Sequence, residues 1–97
     1  MSQNSNEIQA LFLKKKPSKI LIDIKRNNEN GEKGYALKLA RNADTTYSHT
    51  VRVLQRMEEK GVVGFERDGR KKLVHLTDLG DELAEDLISF WRKCGDY

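Results

Sequence analysis

The sequence has 97 residues, of which 37% are hydrophobic, 34% charged and 7% aromatic. This length allows one compact domain with a mainly aliphatic core and excludes two independently folded domains. No apolar run reaches the roughly 18 residues that a membrane helix needs, and the polar N-terminus does not resemble a secretory signal. We therefore expect a soluble, cytoplasmic protein.

The net charge of +3 is unevenly distributed along the chain. Residues 1–32 carry six Lys and Arg against four acids, residues 33–72 carry ten against five, and residues 73–97 carry two against six. The basic middle indicates a surface that faces a polyanion, whereas the acidic C-terminal part indicates a surface that faces away from it.

The N-terminal half predicts two helices followed by a polar loop. Three apolar residues at helical spacing define the first helix: Ile8, Leu11 and Phe12. Pro17 is expected to end this helix. Ser18 is a candidate N-cap for a second helix, which has an apolar stripe over residues 20–24 and gives way to a polar run over residues 26–34.

A short helix, a turn and a longer helix follow. Residues 37–40 predict the short helix, and the turn-forming segment 42–45 ends it. Residues 46–60 contain no Gly or Pro, and their apolar positions recur at i, i+3, i+4 and i+7, the clearest helical pattern in the sequence. Thr46 is the expected N-cap, and Gly61 is expected to follow the helix as its C′ residue.

Two short strands and a last helix complete the chain. Apolar alternation over residues 62–67 and 72–76, around Asp68-Gly69-Arg70, predicts a β-hairpin. Thr77 is the expected N-cap of the last helix. The apolar seam of this helix is expected at four positions: Leu79, Leu83, Leu87 and Trp91. The predicted fold is mainly α-helical with a small β-hairpin, a winged helix-turn-helix with an extra C-terminal helix.

This order of elements predicts a nucleic-acid interface on helix 46–60 and on the hairpin, or wing, at residues 62–76. In a helix-turn-helix the second helix enters the DNA major groove, while a wing contacts the backbone or the neighbouring minor groove. At 100° per residue, the side of the helix opposite its apolar stripe carries no carboxylate. Its polar side chains can bind bases and phosphates. The candidate DNA-binding residues are Thr45, Thr46, Tyr47, Ser48, His49, Arg52, Gln55 and Arg56.

The hairpin supplies a second group of candidate DNA-binding residues. Its basic side chains surround the turn and form a phosphate-binding cluster. The candidates on the wing are Arg67, Asp68, Arg70, Lys71 and Lys72.

Two parts of the sequence resemble the MarR family of transcriptional regulators. The helix-turn-helix resemblance lies in Leu39-Ala40, Thr45-Thr46-Tyr47-Ser48 and Met57-Glu58-Glu59-Lys60-Gly61-Val62-Val63. Asp68-Gly69-Arg70 and Leu76-Thr77-Asp78-Leu79-Gly80 are similar to the family's D-x-R wing motif and to its L-T-x-x-G entry into the next helix. The resemblance implies a sequence-specific regulator of double-stranded DNA in which Asp68 supports a DNA contact by Arg70.

The chain departs from the family in three respects. Asp44 stands where the family often has Gly, and Thr50 stands where it usually has an apolar β-branched residue. Both are compatible with the fold, because Asp tolerates the left-handed conformation and the Thr hydroxyl can bond back to the helix. The chain is also shorter than typical members, which makes a pocket for a small-molecule effector doubtful.

Apolar residues near both ends of the chain predict a homodimer. The last helix carries more apolar side chains than one helix needs to cover a small core. The candidate dimerisation residues are Ile8, Leu11, Phe12, Leu83, Leu87, Phe90, Trp91 and Cys94. The alternative is that Trp91 only covers the monomer core. We expect an N-terminal arm or helix at residues 1–16, a DNA-binding domain at 17–78 and a dimerising C-terminal helix at 79–97.

Catalysis and metal binding have little support in the sequence. His49 and His75 lie on separate predicted elements, and Cys94 is the only cysteine. This spacing fits neither a metal site nor a disulfide framework. We therefore expect a protein that is not an enzyme and uses no cofactor or metal. A winged-helix protein-interaction module and an RNA-binding winged helix remain alternatives.

Overall fold

The computed structural model of the protein describes residues 3–12, 14–31 and 34–95, with side chains from residue 8 onward. Its elements, in chain order, are α1 (Gln3–Phe12), α2 (Lys15–Glu29), α3 (Ala36–Asn42), α4 (Tyr47–Glu59), β1 (Val63–Asp68), β2 (Lys71–Leu76) and α5 (Asp78–Cys94). The predicted fold class is confirmed, because the described chain is mainly helical with one two-stranded antiparallel hairpin. None of the described helices is both long and apolar enough to cross a membrane.

The core is assembled around α2, which contacts α1, α3, α5 and β2. Ile20, Leu21 and Ile24 of this helix are fully buried. They belong to one aliphatic cluster with residues from every other element, including Leu39, Leu54, Met57, Val62, Val74 and Ala84. Burial of aliphatic side chains is the main favourable contribution to folding, so α2 is the framework on which the helix-turn-helix and the hairpin are mounted.

The second helix begins earlier than the sequence predicted. It starts at Lys15, so Pro17 lies inside its first turn, and the prediction that Ser18 caps the helix is wrong. Proline is tolerated there because the first four N–H groups of a helix have no partner within the helix. The Ser18 hydroxyl instead donates to the carbonyl oxygens of Phe12 at 2.8 Å and Lys14 at 3.1 Å. The first helix likewise ends at Phe12, well before Pro17.

The second helix also continues further than predicted, through the start of the polar run to Glu29. Asn27 in this last stretch is buried, at 7% exposed. The Lys25 ammonium lies 3.2 Å from the Glu29 carboxylate, one turn further on. Such an i, i+4 pair stabilises helix in a segment that looks like a loop by composition.

The helix-turn-helix has the predicted caps. Asp44, in the turn, has a φ of +53°, the left-handed conformation expected of it. The Thr46 hydroxyl accepts a hydrogen bond from the N–H of His49 at 3.1 Å, which confirms Thr46 as the N-cap of α4. Gly61, directly after the C-cap, has a φ of +74°, as the predicted C′ residue requires.

The hairpin is shifted by one residue at the turn relative to the prediction. Asp68 pairs with Lys71, so Gly69 and Arg70 alone form the turn. Gly69 supplies the positive φ, +64°, that such a two-residue connection needs. The N–H of Val74 also donates to the carbonyl oxygen of Gly34 at 2.9 Å, which ties the hairpin to the segment before α3.

Thr77 and Gly80 fix the last helix against the end of α4. The Thr77 hydroxyl accepts from the N–H of Gly80, and it lies 2.6 Å from the carbonyl oxygen of Gly61 and 2.9 Å from that of Val62. A Cβ at position 80 would overlap the Val62 carbonyl oxygen, so only glycine allows this approach. The L-T-x-x-G segment is therefore a tertiary joint as well as a helix cap.

The buried face of α5 differs from the predicted seam. Gly80 and Ala84 are its buried positions, and Leu83 and Leu87 pack partly against the core. Leu79 is 40% exposed, so its assignment to the seam is wrong. The reason is the close approach at Gly80, which turns the neighbouring Leu79 away from the core.

Candidate nucleic-acid interface

The outer face of α4 presents the predicted polar side chains to solvent. Thr50, Val53, Leu54 and Met57 are buried on the inner side. The exposed polar candidates are Ser48, His49, Arg52, Gln55 and Arg56. The Thr50 hydroxyl donates to the carbonyl oxygen of Thr46 at 2.9 Å, which satisfies it inside the core.

The charge on α4 is arranged along its length. Its first turn contains no acidic residue, so the positive end of the helix dipole is left uncompensated on that turn. In the described part of the chain, neither Arg52 nor Arg56 forms an ion pair with a carboxylate. The acidic residues of α4, Glu58 and Glu59, are exposed and lie at its C-terminal end. The first three turns can therefore attract an anion.

The residues at the start of the recognition segment have different environments. Thr45 is partly buried in the turn, and Thr46 is exposed although its hydroxyl caps the helix. Tyr47 is 56% exposed, which is unusual for an aromatic side chain of this size. Because its hydroxyl caps α4, Thr46 has a structural role in addition to any contact that it makes with a ligand.

The wing carries a dense group of cations. Its five candidate residues are all exposed: Arg67, Asp68, Arg70, Lys71 and Lys72. Arg67 stands opposite Lys72 in the strand register. Like charges directly across a strand pair are unfavourable for stability. This arrangement favours an anionic ligand that neutralises both.

Two aromatic rings hold the wing lysines in place. The Lys72 ammonium lies 4.6 Å from the centre of the Phe65 ring, and the Lys71 ammonium lies 4.7 Å from the centre of the Tyr35 ring. These distances are typical of cation–π contacts. Because Tyr35 directly precedes α3, the second contact also connects the wing to the helix-turn-helix.

A groove of about 790 Å³ lies between α3, α4 and the wing. It brings the two predicted groups together, because Tyr47 and Gln55 line one side and Arg70, Lys71 and Lys72 line the other. A second depression, of about 390 Å³, lies along α4 beside the positions His49, Arg52, Gln55, Arg56 and Glu59. Glu59 is thus on the same side of the helix as Arg52, and the prediction of a face without a carboxylate is correct only for the first three turns. Arg67 and Asp68 line neither the groove nor this depression.

Lys38 and Arg41 of α3, basic residues that the sequence also suggests as phosphate contacts, line the groove as well. The candidate set omitted four further lining residues: Tyr35, Leu37, Val51 and Phe65. These side chains come from α3, α4, β1 and the segment before α3, so their proximity depends on tertiary packing. The only signal in the sequence is that aromatic residues accompany the basic residues of the wing.

The candidate dimerisation residues divide into three groups by exposure. Leu11 is 6% exposed in the monomer core, so it is not available to a partner and its assignment is corrected. Phe90 is 60% exposed, and Cys94 is also exposed. The remaining candidates are partly buried: Ile8, Phe12, Leu83, Leu87 and Trp91.

The described residues contain no cluster of three His, Cys, Asp or Glu that could hold a metal ion.

The polar face of α4, the basic hairpin and the groove beside them define the class of the protein. It is a winged helix-turn-helix protein.

Comparison with known proteins places this fold among MarR-type structures. No protein-family model matches the chain. AF1382 from Archaeoglobus fulgidus is similar with a TM-score of 0.80 and 28% identity, covering 91% of this chain and 96% of that one. The MarR family transcriptional regulator SPO1453 from Silicibacter pomeroyi has a TM-score of 0.73 and 27% identity over 91% of this chain. The chain spans 61% of the length of SPO1453.

A Staphylococcus aureus MepR-DNA complex is also similar, with a TM-score of 0.74 and 16% identity, covering 96% of this chain and 77% of that one. The resemblance found in the sequence is confirmed, since this chain has the winged helix-turn-helix fold of MarR-type regulators.

Proposed function

We propose that the protein is a sequence-specific transcriptional regulator that binds double-stranded DNA. The observation that carries this proposal is the groove between α4 and the wing, in which Tyr47 and Gln55 face Arg70, Lys71 and Lys72 and no lining residue is acidic. The similarity to a MarR family regulator and to a DNA complex of MepR supports it. These relatives are regulators, which also favours a binding function over an enzymatic one.

In this proposal, α4 enters the major groove and reads base edges. Arg52 is exposed near the middle of the helix and has no competing carboxylate partner in the described chain. A guanidinium can donate two hydrogen bonds to guanine, and the Gln55 amide can pair with adenine in the same way. His49, Ser48 and Arg56 flank these two and can contact bases or phosphates.

The wing holds the neighbouring backbone or minor groove. Arg67, Arg70, Lys71 and Lys72 supply positive charge at the phosphates, which contribute much of the affinity of any protein for DNA. Arg70 stands in the turn itself, where it can reach furthest from the body of the protein. From the family resemblance, the proposal also includes a role for Asp68 in supporting the DNA contact of Arg70.

The proposed assembly is a homodimer that binds an inverted repeat. The exposed Phe90, with the partly buried Leu87 and Trp91, gives α5 an apolar surface, and the partly buried Ile8 on α1 is a further candidate for the same interface. A two-fold interface of this kind sets two recognition helices one DNA turn apart. Residues 17–78 would then bind DNA, and residues 79–97 would pair the protomers.

Selection from a random duplex library tests the proposal, followed by binding isotherms at one salt concentration. The probes are the selected duplex, its separated strands, an unrelated duplex and a structured RNA. Preference for the selected duplex over the unrelated duplex and over RNA is the expected result. Equal or tighter binding of the RNA would favour an RNA-binding winged helix. Failure to bind any of the nucleic acids would favour a protein-interaction module.

A further inference from the structure

Four apolar or aromatic side chains line the groove between α3, α4 and the wing, and we call them its floor: Leu37, Tyr47, Val51 and Phe65. Leu37 on α3 is 51% exposed and Tyr47 on α4 is 56% exposed, so two of the four large hydrophobic side chains exposed in the described chain lie here. Val51 and Phe65 lie beside them and are partly buried. A single exposed Leu needs no explanation, but a group of this size within a basic surface does.

Cations also line this groove, and we call them its rim. Arg41, Arg70, Lys71 and Lys72 line it, and none of the lining residues is acidic. The rings of Tyr35 and Phe65 lie under the Lys71 and Lys72 ammonium groups. The site thus matches a ligand with regularly spaced anionic groups on the outside and an apolar surface between them.

The position of the groove indicates which part of DNA supplies both the anionic groups and the apolar surface. If α4 occupies the major groove and the wing reaches the adjacent minor groove, the sugar-phosphate strand that separates the two grooves must pass between them. The rim then faces phosphates, and the floor faces the sugars. Resting on the proposed function, we propose that this groove holds one strand of the duplex and that its apolar floor selects deoxyribose over ribose.

The selectivity follows from the chemistry of the C2′ position. Deoxyribose presents a CH₂ group there, whereas ribose presents a hydroxyl that is both a donor and an acceptor. Leu37, Val51 and Phe65 offer no polar side-chain atom to such a hydroxyl, so the selectivity is expected where a sugar faces these three side chains rather than the polar ends of Tyr47 and Gln55. A hydroxyl buried against them without a partner should weaken binding by about five- to a hundredfold.

Single-sugar substitution in the bound duplex tests the proposal. Each nucleotide of one strand of the selected site is replaced in turn by its ribonucleotide, and affinity is measured by fluorescence anisotropy. We expect a window of two or three adjacent positions per half-site at which affinity falls at least about fivefold. A 2′-fluoro sugar at the same positions shares the ribose pucker but carries no donor, so it should bind nearly as well as deoxyribose.

Two leucine variants connect the window to the floor. Leu37→Ser provides a hydroxyl partner for the ribose 2′-hydroxyl. At the sensitive positions, the fold-loss of affinity caused by a ribonucleotide should therefore be less than about half of that measured with the parent protein. Leu79→Ser is the matched control, because Leu79 is another exposed leucine, 40% exposed, outside the groove. With this variant, a ribonucleotide should reduce affinity as much as it does with the parent protein.

Several outcomes would overturn the inference and leave the proposed function intact. They are duplex binding with no sensitive window, equal losses with 2′-hydroxyl and 2′-fluoro sugars, and an undiminished window in Leu37→Ser. The last result would mean that the sensitive sugars contact another part of the protein. Failure to bind any duplex would instead remove the proposed function itself, and this inference with it.

Discussion

The Lys25 ammonium on α2 lies 2.7 Å from the Asp81 carboxylate on α5. The Glu85 carboxylate is 3.4 Å away and that of Glu29 is 3.2 Å away, so one lysine bridges three acids. The Lys25 side chain is only 10% exposed, whereas its partners are more than half exposed. The hydrogen bond to Asp81 raises the pKa of Lys25 above its usual range despite the opposing effect of desolvation. This contact fixes the acidic helix α5 to the central helix of the DNA-binding fold.

Replacement of Lys25 by Met should loosen this joint while keeping the apolar stem. The three carboxylates remain solvated, so we expect a loss of about 1–2 kcal/mol in the free energy of unfolding rather than the full cost of a stranded buried charge. Urea denaturation at pH 7 measures it. Lys93→Met, at an exposed position near the end of α5, is the control and should change stability by less than about 0.5 kcal/mol. Equal effects of the two variants would contradict the prediction.

Replacement of Gly80 by Ala should be far more disruptive than its size suggests. The new Cβ would collide with the Val62 carbonyl oxygen, which also accepts a hydrogen bond from the Thr77 N–H at 3.1 Å and so cannot move freely. We expect a loss of at least about 2 kcal/mol, against the small gain that Gly→Ala gives in an unconstrained helix. Thermal denaturation measures it, with Ser89→Ala on the exposed side of α5 as the control. An unchanged melting temperature for Gly80→Ala would refute the close approach.

The local features of the fold could be predicted from the sequence, because they depend on residues three or four positions apart. Thr46, Gly61 and Thr77 are recognisable as caps by this short-range chemistry. Pro17 misled the prediction, because the same residue can end one helix or occupy the first turn of the next. Only the packing of the buried Pro17 and Ser18 decides between these.

The candidate site was predictable in part for a similar reason. The exposed face of α4 follows from helical periodicity, and the wing cations follow from the turn at Gly69. The groove floor could not be predicted, because Leu37 and Phe65 come to line one groove only through the pairing of Val74 with Gly34, before α3, and the packing of the hairpin on α4. Likewise, the exposure of Leu79 depends on the contact of Gly80 with Val62, which no periodicity in α5 encodes.

Asp23→Asn should stabilise the protein in a pH-dependent manner. Burial raises the pKa of Asp23 despite opposition by Lys19 and Arg26, and its Oδ2 atom has no hydrogen-bond partner. A carboxyl whose pKa is raised by folding stabilises the folded state fully only below its unfolded pKa of about 3.9, and that contribution is lost as pH rises through the folded pKa. At pH 7 the Asn amide is neutral and avoids the cost of burying a charged carboxylate. The free energy of unfolding should therefore rise by about 0.5–1.5 kcal/mol.

Urea denaturation at pH 7 and at pH 3 measures the difference between this variant and the parent. The advantage of Asn should shrink toward zero at the lower pH, where both proteins are neutral at position 23. Glu82→Gln, at an exposed carboxylate of α5, should show no comparable pH-dependent gain. An advantage for Asp23→Asn that grows on acidification would have the wrong sign.

The proposed homodimer should dissociate on Phe90→Glu. This side chain is 60% exposed in the monomer, so a charge there costs the monomer little but would be buried unpaired in an apolar interface. Sedimentation equilibrium at micromolar concentration should show a dimer for the parent and a monomer for the variant. Leu37→Glu adds the same charge at an exposed apolar position on α3, outside the proposed dimerisation segments, and should stay dimeric. A monomeric parent protein would contradict the proposed assembly.

The sharpest test of the interface compares Arg52→Ala with Arg70→Ala, because one residue is expected to read bases and the other to hold the backbone. Arg52 lies on the outer face of α4, and Arg70 lies in the turn of the wing. Loss of a bidentate contact to guanine should cost about 1–3 kcal/mol on the selected site and relax discrimination at one base position per half-site.

Arg70→Ala should instead weaken binding to most duplexes by a similar factor, with a larger loss where the flanking minor groove is a narrow A-tract. Neither side chain lies in the core, so both variants should keep the parent's circular dichroism spectrum. Isotherms on the selected site, its single-base variants and an unrelated duplex distinguish the two patterns. If Arg52→Ala binds every duplex as the parent does, α4 is not the recognition helix. The reason is that a base contact cannot be removed from the centre of a reading face without changing which sequences bind best.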